Sequence, residues 1–518
     1  MPSDVRRSEL IAAISLAADL GMGAPLESGL GTCAVAVGLG HRLRLPPDEV
    51  SRIRLLALLQ HIGCTATAHE AAAILGDEIQ QRGRSLTLDF SDKREMGRFM
   101  LGHVTRVYPP MQRPVGLLRA AVGGQRLLDS GADVCESARM LGERFGYDPD
   151  HLHDLECVYE NWDGTGLPAG LSGEQITGPA RVTAVASAAV AAYHQGGPEA
   201  AVELVRRRSG HHLEPALADE FLAGADELLG LLETGDLWSL AVDPDDPLCD
   251  DEAIDTCLRA VADFVDLKSP YLLGHSSGVA ALAAGAAGAC GLAPADVTAV
   301  RRAAWVHDLG RVGVSSAIWA KPGRLTAHEQ EQVRLHPYLT ERVLARTTYL
   351  RGLADVAAGH HERVDGSGYH RGSTGGQQTR AARILAAADA FQTMVEDGPG
   401  APGLTPEVAA KELRAEAAAG RLDPEAVDGV LVAAGQRVGR PARVAGLTPR
   451  EVETLGHLAH GLSIRQIARE MTIAPKTVDG NIQRIYAKIG ASTRAGATLF
   501  ALANDLILPG PGNGENSP

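Results

Sequence analysis

The sequence predicts an all-α protein, built from two tandem helical bundles and a small C-terminal helical domain. Ala-rich stretches and an aromatic content of 4% favour helices over sheets. Apolar residues recur at helical spacing through 251–267, 276–290 and 297–306. At a shift of 247 residues, Leu45–Val50 aligns with Leu292–Val297, and a repeat of this size indicates two stacked copies of one helical unit.

Composition limits the classes of function. A chain of 518 residues is long enough for about two to four domains, and its net charge of -15 restricts any DNA binding to a local surface. The seven cysteines are scattered without a Cys-x-x-Cys pair, which suits a reducing cytoplasm. The sequence has no apolar run of about 18 residues and no signal-peptide core. We therefore expect a cytoplasmic protein that makes no use of a membrane.

The most informative stretch is Trp305–Arg311, which contains the adjacent pair His307 and Asp308. A carboxylate has two oxygens, so Asp308 could bridge two cations that imidazoles hold from the sides. One such histidine alone is more often an ordinary core or surface residue than a ligand. Here, however, seven candidate ligands occur on five segments within about 115 residues. The other five candidates are His275, His336, His360, His361 and Asp389.

Short segments of the second half surround these candidate ligands. They are Gly274–Ser276, His307–Arg311, Lys321–Thr326, His336–Pro337, Gly359–Tyr369 and Ala382–Ile384, and Asp389 follows the last of them. In this order, over roughly residues 255–438, they resemble the HD-GYP family of metal-dependent phosphohydrolases. The resemblance implies a helical HD domain, which we place at 251–438.

The resemblance also implies a two-metal site of Fe, Mn or Mg ions. On the family pattern, one ion would be held by His275, His307, Asp308 and Asp389. Asp308 would bridge to a second ion, which would be held by His336, His360 and His361. The two ions would activate a water and clamp a phosphate, with Asp308 and Arg311 as the catalytic residues. The implied substrate is cyclic di-GMP or a related cyclic dinucleotide.

Three positions depart from the family pattern. Arg311 stands where members usually carry a lysine that touches the scissile phosphate, and arginine differs from lysine in reach and hydration. His370 replaces the proline of the Gly-Tyr-Pro signature, so the loop lacks a ring-fixed φ there. Tyr271 replaces the glutamate of trinuclear members, which favours two ions over three. Both hydrolysis and ligand sensing without turnover therefore stay open.

The first copy, at 8–240, lacks the ligand set. The six aligned positions are Ser28, Gln60, His61, Val158, Tyr159 and Ser187, and only His103 corresponds loosely to a ligand, His336. Serine and glutamine are poor ligands for divalent cations, and valine is none. We expect either a scaffold or dimerisation half, or a sensory half that binds a small molecule in the vacated pocket. Prolines and acidic turns place the junction between the copies at 236–250.

The C-terminal part reads as a helix-turn-helix. After a linker at 439–446, Thr448 is placed to cap a helix that Pro449 and Glu451 continue. Two further helices follow at 464–471 and 476–489, a geometry that reads DNA. The region 447–508 resembles the LuxR-type domain, which has four helices, and residues 509–518 are expected to be a disordered tail.

In the third of these helices, four side chains are expected to face double-stranded DNA, and three are expected to face the core of the domain. The exposed set is Lys476, Thr477, Arg484 and Lys488, and the buried set is Val478, Ile482 and Ile485. The alternative is a helical docking module with solvated lysines. Because LuxR-type domains bind DNA as dimers, we expect a homodimer on a two-fold site.

Together these expectations describe a bacterial transcriptional regulator with a metal-dependent phosphodiesterase module. The alternative is an inactive HD-GYP tandem that senses a ligand for the DNA-binding domain. A third hypothesis is constitutive DNA binding, in which no nucleotide changes the affinity for DNA.

Overall fold

The computed structural model describes residues 5–89, 91–102, 111, 131–435, 444–504 and 506. Within these ranges the chain is helical, and the only β-type pairings are isolated bridges such as that between Arg6 and Leu248. The all-α prediction is confirmed. Two compact units divide the chain: Met1–Ile254 with Ser315–Ala317, and Asp255–Val314 with Ile318–Pro518.

The described helices of the first half are irregular in length. In chain order they are α1 (Arg7–Met22), α2 (Ser28–Arg42), α3 (Pro47–Leu59), α4 (Ala68–Leu75), α5 (Glu78–Ser85), α6 (Lys93–Gly102), α7 (Gly131–Arg144), α8 (Pro149–Glu156), α9 (Gly178–Arg208), α10 (Pro215–Ala223), α11 (Ala225–Gly230) and α12 (Leu237–Ala241). Because α12 lies within the predicted junction, the irregular part of that junction is shorter, at 242–250.

The helices of the second half hold the candidate ligands. They are α13 (Asp251–Asp266), α14 (His275–Ala289), α15 (Pro294–Val306), α16 (Ser316–Trp319), α17 (Ala327–Arg334), α18 (His336–Leu344), α19 (Thr348–Ala358), α20 (Arg380–Val395), α21 (Pro406–Ala418) and α22 (Pro424–Gly435). The core between α14, α15 and α20 buries side chains such as Leu282, Val300 and Leu385. Each fully buried side chain of this size stabilises the fold by about 1.5–3 kcal/mol.

The two halves share helix boundaries at the shift that the sequence predicts. Displaced by 247 residues, α2 coincides with α14 and α3 coincides with α15 at both ends. A buried aspartate performs the same task in each copy, because Asp19 accepts a hydrogen bond from the amide of Gly29 and Asp266 accepts one from the amide of Ser276, both at 3.0 Å. The same sequence positions therefore make the same local structure.

The loop before α9 and the loop before α20 are also alike. In the first half, the Glu160 carboxylate accepts hydrogen bonds from the amides of Ala169 and Leu171 at 2.7 and 3.0 Å. In the second half, Glu362 accepts them from Arg371 and Ser373 at 2.8 and 2.7 Å. The peptide bonds Leu167–Pro168 and Tyr369–His370 are both cis. A buried glutamate thus organises the loop in both copies.

The C-terminal helices are α23 (Pro449–Ala459), α24 (Ile464–Glu470), α25 (Pro475–Ile489) and α26 (Arg494–Ala503). Thr448 and Ser463 form capping boxes with Glu451 and Gln466, and Gly490 ends α25 in the left-handed conformation at φ 68°. The predicted buried side of α25 is confirmed, since Val478, Ile482 and Ile485 lie in the core of this domain.

Two predicted segments lie largely outside the described residues. Of the linker 439–446 only 444–446 is described, and the tail 509–518 lies outside the described residues, as does His103. Among the described helices, none combines the length and the apolar character that crossing a membrane requires.

Candidate metal centre and nucleic-acid interface

Helix ends bring the candidate ligands together. His275 is the first residue of α14, His307 directly follows α15, and His336 is the first residue of α18. His360 lies just after α19, and Asp389 lies inside α20. Packed helix ends hold side chains rigidly, which suits a site that must keep its geometry. Two groups result, His275, His307 and Asp308 in one and His336, His360 and His361 in the other, with ligand atoms within 4.8 Å of one another in each.

Asp308 lies between these two groups. Its Oδ2 is 3.3 Å from His275 Nε2 and 3.0 Å from His307 Nε2. Its Oδ1 is 3.3 Å from His336 Nε2 and 3.3 Å from His360 Nε2. One carboxylate therefore presents a separate oxygen to each group.

Asp389 also approaches residues of both groups. Its Oδ1 is 3.3 Å from His275 Nε2 and 3.7 Å from His307 Nε2. Its Oδ2 is 3.6 Å from His361 Nδ1, and the His361 side chain is the most exposed of the cluster, at 16%. The structure thus brings all seven predicted ligands into one buried cluster.

The donor atoms of this cluster fit divalent cations. His275 Nε2, His307 Nε2 and both oxygens of Asp308 are buried, and none of them makes a hydrogen bond of good geometry within the described structure, although Asp308 Oδ2 also forms an ion pair with Arg311 Nε at 2.8 Å. Buried polar atoms are almost always satisfied, and a set of them at one place without such hydrogen bonds indicates an ion or a ligand. Imidazole nitrogens and carboxylate oxygens are both suitable ligands for divalent cations.

The main chain fixes the tautomer of three of the histidines. The Nδ1 atoms of His307, His336 and His360 lie 2.7, 2.6 and 2.6 Å from a carbonyl three residues earlier, on Ala304, Val333 and Ala357 respectively. A carbonyl can only accept, so each Nδ1 carries a proton and Nε2 is the nitrogen left to bind a metal. The lone pairs of His336 and His360 face each other at 3.0 Å. This arrangement is the one that ligation through Nε2 needs.

The charges of the cluster support the same conclusion. Burial disfavours the charged form of Asp308, but Arg311 and His307 hold the pKa of this carboxyl well below its usual range. Burial lowers the pKa of His336 to about 4 and also lowers the pKa of His360 and His361. In contrast, nearby carboxylates outweigh burial and raise the pKa of His307 to about 9, and they also raise the pKa of His275. Metal binding needs neutral imidazoles, so these two rings would release a proton when an ion binds.

Arg311 lies at the edge of this cluster. Its Nε is 2.8 Å from Asp308 Oδ2, and its guanidinium lies 5.1 Å from the centre of the Trp319 ring. The side chain is buried, so its positive charge acts in a region of low dielectric.

The Gly-Tyr-His loop borders the cluster through Tyr369. The Tyr369 ring lies 4.8 Å from the ring of His361, and the guanidinium of Arg334 lies 5.0 Å from the centre of the Tyr369 ring. His370 points to Glu341, with 3.0 Å between its Nε2 and the carboxylate. The loop therefore contributes an aromatic wall, and the side chain at the substituted position contacts Glu341 beside it.

Glu396 is a site residue that the sequence reasoning missed. Its Oε2 lies 2.7 Å from Nδ1 of His275, within hydrogen-bond distance of the ring nitrogen that faces away from Asp308. The signal that could have found it is helical spacing, because Glu396 follows Asp389 by about two turns.

The centre of the first half is different. The Tyr159 hydroxyl donates to the carbonyl of Gln60 at 2.8 Å and lies 3.3 Å from both His61 Nδ1 and Cys64 Sγ. Burial, together with the nearby charge of Arg82, lowers the pKa of His61 to about 4. Among the described residues, the groups of potential metal ligands lie in the second half.

The candidate DNA-facing residues of α25 fall into two classes. Lys476 and Thr477 are exposed, and so is Arg484, although it approaches Glu451 at 3.8 Å. Lys488 lies 2.7 Å from Glu451 Oε2 and also donates to the carbonyl of Gly446 at 3.1 Å. Lys488 is therefore engaged within the domain itself.

Comparison with known protein families agrees with this division. The HD domain model matches residues 259–426, and the model of the bacterial regulatory proteins of the luxR family matches residues 445–501.

Several similar proteins are phosphodiesterases by name. The 3'3'-cGAMP-specific phosphodiesterase 3 of Vibrio cholerae is 29% identical over 408 residues, which is 76% of this chain and 87% of that protein. A cyclic di-GMP phosphodiesterase of Thermotoga maritima is 36% identical over 34% of this chain and 47% of its own. The cyclic di-GMP phosphodiesterase response regulator RpfG of Xanthomonas campestris is 35% identical over 27% of this chain and 38% of its own.

A solved structure agrees with the fold. The crystal structure of the Vibrio cholerae phosphodiesterase V-cGAP3 covers 84% of this chain and 98% of its own, with a TM-score of 0.55 and 22% identity. The resemblance that the sequence motifs predicted is confirmed. The chain therefore contains an HD domain at 259–426 and a luxR-family domain at 445–501, and it is similar to proteins that are named as cyclic dinucleotide phosphodiesterases.

Proposed function

We propose that the protein is a transcriptional regulator whose second half hydrolyses a cyclic dinucleotide and whose C-terminal domain binds DNA. The observation that carries the catalytic part is Asp308, which presents one oxygen to His275 and His307 and the other to the opposite histidine group. The proposed site holds two divalent ions, one on each side of this carboxylate. When bound, such a pair lowers the pKa of a water and neutralises a phosphate.

The residues of the chain have separate tasks in this proposal. The main-chain carbonyls behind His307, His336 and His360 orient the imidazoles before any ligand arrives. Asp308 keeps its negative charge, and Arg311 places a fixed positive charge beside it, where a phosphate oxygen can be held. Tyr369 closes one wall and limits the approach of bulk water.

The proposed substrate is a 3'3'-linked cyclic dinucleotide that is opened to a linear one. A relative that matches 76% of this chain is named for 3'3'-cGAMP, and the shorter matches include proteins named for cyclic di-GMP and for 3'3'-cGAMP. Both molecules share the two phosphodiesters that a pair of cations would clamp, so the metal centre alone does not separate them.

A direct test combines metal analysis with product analysis. Purified full-length protein is assayed for bound metal and then incubated with cyclic di-GMP and with 3'3'-cGAMP, and linear products are separated by chromatography. We expect close to two ions per chain and metal-dependent formation of a linear dinucleotide. Protein that contains metal but yields no linear product from either substrate would contradict hydrolysis.

A second function, ligand sensing without turnover, is favoured by Arg311. Its Nε contacts Asp308 at 2.8 Å, so the guanidinium is partly committed to the carboxylate. In this case labelled cyclic dinucleotide binds but stays cyclic, and Arg311→Lys, which frees a mobile point charge, gives measurable hydrolysis. Equal turnover by the wild type and by Arg311→Lys would contradict the sensing function.

The proposed DNA binding involves a homodimer on a two-fold site, with Lys476, Thr477 and Arg484 towards the DNA. Lys476→Ala should weaken binding in a gel shift, whereas Lys488→Ala should change it less, because Lys488 is already paired with Glu451. Coupling between the domains requires that a cyclic dinucleotide change the DNA affinity. An unchanged affinity with saturating nucleotide would favour constitutive binding.

A further inference from the structure

His275 differs from the other ligands in what lies behind its ring. The Nδ1 atoms of His307, His336 and His360 face main-chain carbonyls, whereas Nδ1 of His275 faces a carboxylate, Glu396 Oε2, at 2.7 Å. His275 is the first residue of α14 and, unlike His336, is not preceded by a helix that could supply such a carbonyl. The side chain of Glu396, which directly follows α20, supplies the acceptor instead.

Glu396 is itself held in place by neighbouring residues. Gln392, one turn earlier on α20, donates from Nε2 to Glu396 Oε1 at 2.6 Å. The buried amide of Gln392 packs against Gly278 on α14, where an added Cβ would lie 2.6 Å from Gln392 Nε2. Gly278 therefore leaves space for the Gln392 amide, which orients Glu396. Because Gly278 and His275 both belong to α14, these contacts connect α14 and α20 at the ligand.

The first half lacks this arrangement along with its ligands. In the alignment that equates Glu160 with Glu362, the residue at the position of Glu396 is His194, and the residue at that of Gln392 is Val190. The glycine is retained as Gly31, but a Cβ there would meet the apolar Leu232 at 2.9 Å. The carboxylate and its supporting amide are therefore present in the half that has the ligands.

We infer that Glu396 is a positioning residue that fixes the tautomer of His275 and strengthens this histidine as a ligand for one of the two ions. A carboxylate behind a ligating imidazole keeps the proton on the far nitrogen and raises the basicity of the near one. The inference rests on the metal centre of the proposed function. It assigns Glu396 and Gln392 to the His275–His307 side of that centre.

The test is a titration of metal-free, full-length protein with Mn²⁺ alone, followed by calorimetry and by the spin resonance of the bound ion. Glu396→Gln keeps an oxygen that can accept from His275 but removes the charge. We expect about 10–100-fold weaker binding of one Mn²⁺ and unchanged binding of the other, because loss of such a partner typically costs this much. Gln392→Leu should give a smaller loss at the same site.

The matched control is Glu412→Gln, which removes the same charge from an exposed position on α21. It should bind both ions as the wild type does, and the melting temperature of the metal-free protein should be equal in all variants. Unchanged affinity in Glu396→Gln would overturn the inference, and so would an equal loss at both sites with a lower melting temperature. Wild-type protein that binds no Mn²⁺ would overturn both proposals. Wild-type protein that binds Mn²⁺ without hydrolysing a cyclic dinucleotide would contradict only the catalytic one.

Discussion

The centres of the two halves occupy equivalent places between matching helices but contain different chemistry. In the second half Asp308 lies among imidazoles, and the carbonyl of His307 accepts a hydrogen bond from Thr340 at 3.0 Å. In the first half the equivalent carbonyl, on Gln60, accepts from the hydroxyl of Tyr159 at 2.8 Å. The helix ends are retained in both copies, so the difference is made by a few side chains.

This comparison bears on the two interpretations of the first half. Tyr159 occupies the position of His361 in the alignment and directs its hydroxyl to three polar groups of the first half. A buried centre whose polar groups satisfy one another stabilises a fold. The contacts of Tyr159 therefore favour a scaffold role over a vacated ligand pocket.

The largest expected difference between the halves concerns catalysis. Asp308→Asn should lower metal-dependent hydrolysis by about a thousandfold or more, because the neutral amide cannot serve both histidine groups as a charged bridge. His61→Asn is the matched change in the first half and should leave the rate within about twofold, since nothing there depends on a charge. The measurement is the rate of linear product formation at saturating substrate. Equal losses of rate in the two variants would contradict the assignment of catalysis to the second half.

Removal of metal should destabilise the second half selectively. Ions present at about a hundred times their dissociation constant stabilise the native state by about 3 kcal/mol. Chelation should therefore speed amide hydrogen exchange in α14, α15 and α20 while α2 and α3 keep their protection. Exchange that rises equally in both sets of helices would show that the first half depends on the ions as well.

Acid should destabilise the first half through His61. The folded state keeps this imidazole neutral down to about pH 4, whereas the unfolded chain binds a proton below about pH 6.5. Stability is therefore complete above the unfolded pKa and is lost as the pH falls through this window. Between about pH 7 and about pH 5 the loss should be about 1–2 kcal/mol in urea unfolding. His61→Asn should remove that part of the pH dependence, and an identical slope in the variant would refute the assignment.

The smallest effect is expected for single hydroxyls. Tyr159→Phe leaves the Gln60 carbonyl without its partner and should cost about 1 kcal/mol of stability, with no change in hydrolysis. Thr340→Val is the matched change, but Thr340 also accepts from the amide of Gly310 at 2.9 Å and so holds the His-Asp segment in place. This variant should lose metal affinity as well as stability. A Tyr159→Phe protein with impaired hydrolysis would contradict the separation of the two centres.

Much of this organisation could be predicted from the sequence, because the residues concerned are of rare types at fixed spacing. The seven candidate ligands are histidines and aspartates beside glycines and prolines that mark helix ends, and the sequence repeat by itself aligns α2 with α14. The C-terminal helices could also be predicted from the sequence, since Thr448, Ser463 and Gly490 are residue types that begin or end helices.

Other features depend on contacts that no spacing rule specifies. Glu396 is an ordinary glutamate at a helix end, and only packing of α14 against α20 makes it a partner of His275. The outward helical position of Lys488 predicts a DNA-facing residue, but this side chain donates a hydrogen bond to Glu451, the capping glutamate of α23. Tyr159 could be aligned with His361, yet its hydrogen bonds required the folded chain.

The carbonyls behind His307, His336 and His360 have one more consequence. Because these acceptors belong to the peptide backbone, the hydrogen bonds do not depend on which side chain occupies positions 304, 333 and 357, although Ala304 and Ala357 are fully buried and a larger side chain there would overpack the core. Substitutions at these positions that the core accommodates should leave metal affinity nearly unchanged, whereas substitution of Glu396 should lower it. Evolution of this centre is therefore constrained unevenly, with one ligand exposed to loss through its neighbour and three protected by the chain itself.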